Sequence, residues 1–239
     1  MENNMNGVIN AVLSGYYVGS AAENQPLSYN KIEIEQAIVA VFEAELDFMA
    51  KTNLLDELVD RYPLLDGMRE VLFDLLMVNF FTADAQRLDE NYLDSEEWAK
   101  IEDKTIDRGT ELLNVFLYIL ECIEENVEPS LEDYLKEFLL VEEDEFQDEL
   151  AIYEDIIAHQ VLVESDPKEI ARVATALPAS SEMKELFYPL MAWFYEVKPD
   201  ENQIKAWIDL SKNKAFDTAV LFAILASANG QSSLKKFIQ

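Results

Sequence analysis

His159 is the only histidine in the chain, so any mechanism that needs an imidazole base must run through it. Asp155 lies four residues earlier and shares its face if the segment is helical. An Asp–His pair can orient an imidazole for proton transfer. No Gly-x-Ser-x-Gly elbow accompanies it, so the pair reads as a helical histidine bonded to a neighbouring acid. Cys122 is the only cysteine, which excludes an intramolecular disulfide and a cysteine-based zinc site. It lies in the apolar run Leu112–Ile123 and reads as a buried, inert thiol. Neither residue is expected to be catalytic.

Carboxylates are the one abundant chemical group. Di-iron helical bundles need Glu-x-x-His pairs on two helices, which one histidine cannot supply. An EF-hand loop needs spaced acids around a central glycine, and the run Glu142–Glu149 lacks both glycine and spacing. Glu43 with Asp47, and Glu121 with Glu125, fall four residues apart and could hold a magnesium ion. With 48 acids in the chain such pairs arise by chance, so no metal site and no cofactor are expected. Gly15-Tyr-Tyr-Val-Gly19 is neither a phosphate-cradling loop nor a dinucleotide fingerprint.

Charge narrows the choice of partner. The 239 residues carry 48 acids against 18 Lys and Arg, a net −30. Residues 1–167 hold 40 acids and 9 bases, and residues 168–239 hold 8 and 9. Such a field repels nucleic acid and anionic membrane and attracts basic proteins. The densest stretch, Glu121–Asp155, has 15 acids and one base, Lys136, interleaved with Tyr134, Phe138, Phe146 and Tyr153. Within it Glu142, Glu143, Asp144, Glu145, Phe146, Asp148 and Glu149 are the expected partner-binding residues. The four aromatics are candidate anchors, although periodicity places Tyr134 and Phe138 in the core.

The elements that must carry these residues read as helices. Half of the chain is hydrophobic, with only 6 Gly and 7 Pro, which disfavours both disorder and an all-β fold. Apolar spacing predicts one helix over 31–52, a central helix over 64–83, and a helix from Glu96 to about Glu125 with a break near Gly109. Ser95 and Ser130 are expected caps, the latter in a capping box with Asp133. Ile152, Ile156, Ile157 and Val161 are expected on one apolar face. Asp166-Pro167 opens a series of shorter helices at about 168–177, 181–196, 200–213 and 215–228. A shift of 34 residues pairs Asp166 with Asp200, Ile170 with Ile204 and Leu190 with Ile224, as two αα-hairpins of equal length would.

The expected fold is therefore all-α: a multi-helix array with short loops and two αα-hairpin units at the C-terminus. Residues 1–164 form an acidic helical domain and 165–239 a neutral helical subdomain packed on it. The start Met-Glu-Asn-Asn lacks the basic opening of a secretory signal, no run suits a membrane span, and the lone cysteine fits a reducing compartment, so a cytoplasmic location is expected. The expected function is non-enzymatic: an acidic module that inhibits, neutralises or chaperones a basic protein, comparable by charge and size with immunity proteins and DNA mimics. The alternatives are an all-α enzyme with a carboxylate-bound divalent metal and a helical-repeat adaptor.

Repulsion within Glu142–Glu149 is screened over a Debye length of about 8 Å at physiological ionic strength. Raising salt from low to moderate concentration is therefore expected to raise the melting temperature, followed by circular dichroism. A flat or falling response would count against net repulsion.

Overall fold

The computed structural model describes residues 5–25, 27–83, 87, 92, 94–105, 108, 111–139 and 152–238. The described residues are helical without a strand. The helices are α1 (Met5–Ala22), α2 (Lys31–Glu43), α3 (Phe48–Arg61), α4 (Arg69–Thr82), α5 (Glu96–Thr105), α6 (Glu111–Glu125) and α7 (Leu131–Leu139). They continue with α8 (residues 152–158), α9 (Pro167–Ala176), α10 (Lys184–Tyr195), α11 (Glu201–Leu210) and α12 (Lys214–Asn229). No described helix is long and apolar enough to cross a membrane.

The chain forms two compact units. The first comprises Met1–Ile9 and Ser28–Leu113, the second Asn10–Leu27 and Asn114–Gln239. The composition change at residue 165 thus falls inside the second unit. Net charge is shared between the units, −14 in the first and −16 in the second.

In the first unit the single helix expected over 31–52 is two. Ala44 leaves helical geometry at ψ 138°, and Asp47 starts α3 by accepting the Ala50 N–H at 2.9 Å. Pro63 opens a 3₁₀ turn, Pro63–Met68, and α4 follows, buried on every side from Val71 to Val78. Phe48 packs on Phe73 and Phe80, while Phe81 meets Trp98 of α5. Ser95 caps α5 through the Trp98 N–H.

In the second unit Ser130 caps α7 through the Asp133 N–H at 3.2 Å. The expected reciprocal half of the box is replaced. The Tyr118 hydroxyl accepts the Ser130 N–H at 2.9 Å and donates to the Ser130 carbonyl at 3.0 Å. The apolar face expected to run on to Val161 ends early. The chain turns at His159 into a 3₁₀ helix, Gln160–Glu164, which breaks the 3.6-residue period and leaves Val161 72% exposed.

Pro167–Ala176 and Glu201–Leu210 are offset by the 34 residues seen in sequence. Asp166 and Asp200 cap these helices, and Ile170 and Ile204 are fully buried. Helices α9 and α11 thus occupy equivalent registers.

The glycine pair of α1 has a packing role. A Cβ on Gly15 would stand 2.5 Å from the Thr218 carbonyl oxygen and 2.8 Å from Ala219 Cα. One on Gly19 would overlap the Lys214 carbonyl. Helix α1 therefore lies backbone to backbone on the first turns of α12, a close approach that only glycine allows. Gly15→Ala and Gly19→Ala are expected to destabilise the protein by about 2–4 kcal/mol in urea unfolding, the cost of forcing packed backbones apart. Gly67→Ala, which meets nothing within 4 Å, is expected to be neutral or slightly stabilising.

Candidate functional site

The seven expected partner-binding residues, Glu142, Glu143, Asp144, Glu145, Phe146, Asp148 and Glu149, lie outside the described residues. The flanking segments are described. Glu124, Glu125 and Glu128, at and beyond the end of α6, and Glu132 and Asp133, opening α7, are all exposed. Lys136 pairs with Glu132 at 2.5 Å and Lys198 with Glu128 at 3.3 Å, while Glu124 and Glu125 make no ion pair among the described residues.

Of the candidate anchors, Tyr134 and Tyr153 are each 1% exposed. Their hydroxyls stand 2.8 Å apart, Asn114 donates to Tyr153 at 3.4 Å, and the Tyr134 ring packs on Tyr118 and Phe194. Tyr153 is thus a core residue rather than an anchor, because a buried phenol satisfied inside the fold presents nothing to a partner. The side chain of Phe138 lies outside the described residues, as does Phe146.

His159 does not pair with the Asp155 carboxylate. Its Nδ1 lies 2.8 Å from the Asp155 main-chain oxygen, and its ring meets Phe187 edge-on. Cys122 is buried and forms no disulfide. Glu43 accepts from Asn6, Asp47 caps α3, and no group of three His, Cys, Asp or Glu suited to a metal ion occurs among the described residues.

Two acids that periodicity missed are buried. Asp74, 3% exposed on α4, accepts the Leu113 N–H, one of the free donors at the start of α6. Its Oδ1 has no hydrogen-bond partner among the described residues. Burial first, then the Glu111 and Glu70 charges, hold its carboxyl well above the usual range, against the opposing pull of the Leu113 N–H and Arg108. Arg108 is itself held by Asp56 at 2.8 Å and Glu70 at 3.5 Å, with its guanidinium over Phe73.

Asp217, 7% exposed on α12, faces a cleft of about 320 Å³ that Ala174, Lys184, Tyr188 and Leu210 also line. It accepts the Ser211 hydroxyl at 2.6 Å and the Asn213 N–H. Burial above all, with the Glu23 and Glu185 charges, pushes it up to about 7, opposed by those two hydrogen bonds. The sequence did carry a signal for both: each is the single charge within an otherwise apolar run, Val71–Val78 and Ala215–Ala226.

A carboxyl raised to about 7, as Asp217 is, can hold a proton near neutrality. The sequence comparisons add no analogue, for no family model, curated protein or solved structure matches the chain.

A carboxyl raised from 3.8 to about 7 keeps its proton in the folded state over that interval, whereas the unfolded chain has lost it. The stabilisation is complete below pH 3.8 and is lost as pH rises to about 7, beyond which it stays lost. Urea midpoints measured between pH 4.5 and 7.5 are expected to fall with pH in the native protein. The fall should be shallower in Asp217→Asn, and equal slopes would contradict the assignment.

Proposed function

We propose that the protein is a non-enzymatic binding protein whose acidic surface captures a basic protein partner and thereby inhibits, neutralises or chaperones it. The observation that carries this reading is the disposition of charge. Arg69, Arg108, Lys51, Lys184 and Lys214 are tied to internal partners, while many acids face water. Arg69 is 25% exposed and gathers Asp56, Asp60 and Asp66, while Arg108 is 17% exposed between Asp56 and Glu70. Lys51 donates to the Phe42 carbonyl, Lys184 to that of Leu177, and Lys214 to those of Ile208, Asp209 and Ser211. Meanwhile Asp60, Asp66 and Glu132 are more than 70% exposed. A protein with a net −30 gains nothing for its own stability from such a surface, because like charges destabilise the compact state. The same field raises the association rate of a cationic protein and excludes anionic competitors.

The test is a pull-down from the source cell at low salt with elution at high salt, then surface plasmon resonance on the protein recovered. Reversing Glu142, Glu143, Asp144 and Glu145 to Lys is expected to slow association about tenfold or more at low salt and to flatten its salt dependence. The same reversal at Asp84, Asp89, Glu90 and Asp94 should do less, because charges more than a Debye length from a docked partner are screened. Rates unchanged in both variants would reduce the acidity to a solubility feature and refute the reading.

A further inference from the structure

The C-terminal ends of α6, α10 and α12 border one groove of about 340 Å³ in the second unit. Ile119, Ile123 and Val197 give it an apolar floor, and Val127, Glu128 and Lys198 stand along it. The end of α6 is closed by Asn126 at φ 55°. The Val127 N–H returns to the Cys122 carbonyl at 2.9 Å and the Asn126 N–H to that of Ile123 at 3.3 Å. This closure turns Val127 outward, where it is 53% exposed between Glu124, Glu125 and Glu128. Each helix end carries the partial negative charge of its last carbonyls, and Glu128 adds a full one. Among the described residues lining the groove the cation is Lys198, whose Nζ reaches Glu128 at 3.3 Å with both side chains more than 60% exposed.

An apolar floor several carbons long, with negative charge at its edge, matches the two halves of one kind of side chain. We propose that this groove seats a Lys or Arg side chain of the basic partner. Its alkyl stem lies on Ile123, Val127 and Val197, and its charged head takes the place of Lys198 at Glu128. Long basic side chains bury their stems against apolar surface while keeping the charge at a polar edge. A small anion is repelled by Glu128 and the carbonyl ends, and a purely apolar side chain leaves Glu128 without a cation once Lys198 is displaced. The inference rests on the reading that the partner is basic, and it gives that partner's contact a fixed point on the molecule.

The experiment titrates Nα-acetyl-arginine amide into the ¹⁵N-labelled full chain, with Nα-acetyl-citrulline amide as the uncharged control of the same shape. Expected are chemical-shift changes concentrated at Ile123, Asn126, Val127, Val197, Lys198 and Asn229, with little response to the citrulline compound. Glu128→Gln should weaken binding up to about fivefold, the scale of an exposed ion pair. Lys198→Gln, which frees Glu128, should strengthen it. Both residues are exposed, so neither variant threatens the fold. Equal responses to the two compounds, or shifts spread over the acidic surface and indifferent to Glu128→Gln, overturn the proposal. Cytochrome c, a cationic protein, is titrated in parallel at low and high salt. Salt-dependent binding of it without any response in the groove sinks the groove and leaves the proposed function standing. Arginine seated in the groove without affinity for cytochrome c at low salt supports the groove and counts against the function.

Discussion

Two glycines on one face of α1 allow its backbone to lie directly on the first turns of α12, and the arrangement of the second unit follows from that contact. At Gly15 and Gly19 the opposing atoms are main-chain carbonyls and a Cα, which cannot swing aside as a side chain can. The approach brings Glu23, just past the end of α1, to the Lys214 N–H at 2.6 Å. Asp217 takes the Asn213 N–H, so two carboxylates meet the positive start of α12. Lys214 in turn caps α11 by donating to three of its closing carbonyls. One close helix contact thus fixes a helix start, a neighbouring helix end and the acid that faces the cleft. The cost is concentrated there as well: Glu23 and Asp217 are like charges near each other, and the buried one keeps its proton up to about pH 7.

The first unit solves the charge problem with cations rather than with backbone. Arg69 and Arg108 draw in Asp56, Asp60, Asp66 and Glu70 around the start of α4. Arg108 also lies over Phe73, so one guanidinium serves an ion pair and a ring face together. Asp74 sits one turn beyond Glu70, and burial beside the Glu111 and Glu70 charges holds its carboxyl well above the usual range. Together these choices keep Arg69 and Arg108 from masking acids elsewhere on the surface. The acidic surface is thus a consequence of how the interior uses its lysines and arginines as well as of composition.

That link is what joins the fold to the proposed function. A charge of −30 by itself describes a field, and a field has no preferred point of contact. The groove at the ends of α6, α10 and α12 supplies apolar surface beside Glu128, so attraction at a distance and packing at contact can act on the same basic side chain. Charge of this kind sets the rate of encounter, and desolvated apolar contact sets the lifetime of the bound state.

Much of the fold was legible in the residue pattern. The helical period, the caps at Ser95, Ser130 and Asp166, and the 34-residue offset of α9 and α11 depend on neighbours within one or two turns, and local sequence encodes such neighbours directly. The break at Ala44–Asp47 escaped because apolar residues on both sides keep step with a single helix. The turn at His159 escaped for a similar reason, since Val161 occupies the position a continuing helix would bury. Gly15 and Gly19 looked like a failed nucleotide motif, because the backbone they make room for is some 200 residues away in sequence. Tyr153 looked like an anchor among acids, yet its hydroxyl partner Tyr134 lies on another helix. Asp74 and Asp217 were visible as lone charges in apolar runs, but their proton affinity depends on which charges face them across the fold. Sequence alone determined the helical class and the excess of acids. Only the tertiary structure decided which acids are buried, which cations are occupied and where an apolar groove meets a carboxylate, because burial and pairing are properties of residues brought together from distant parts of the chain.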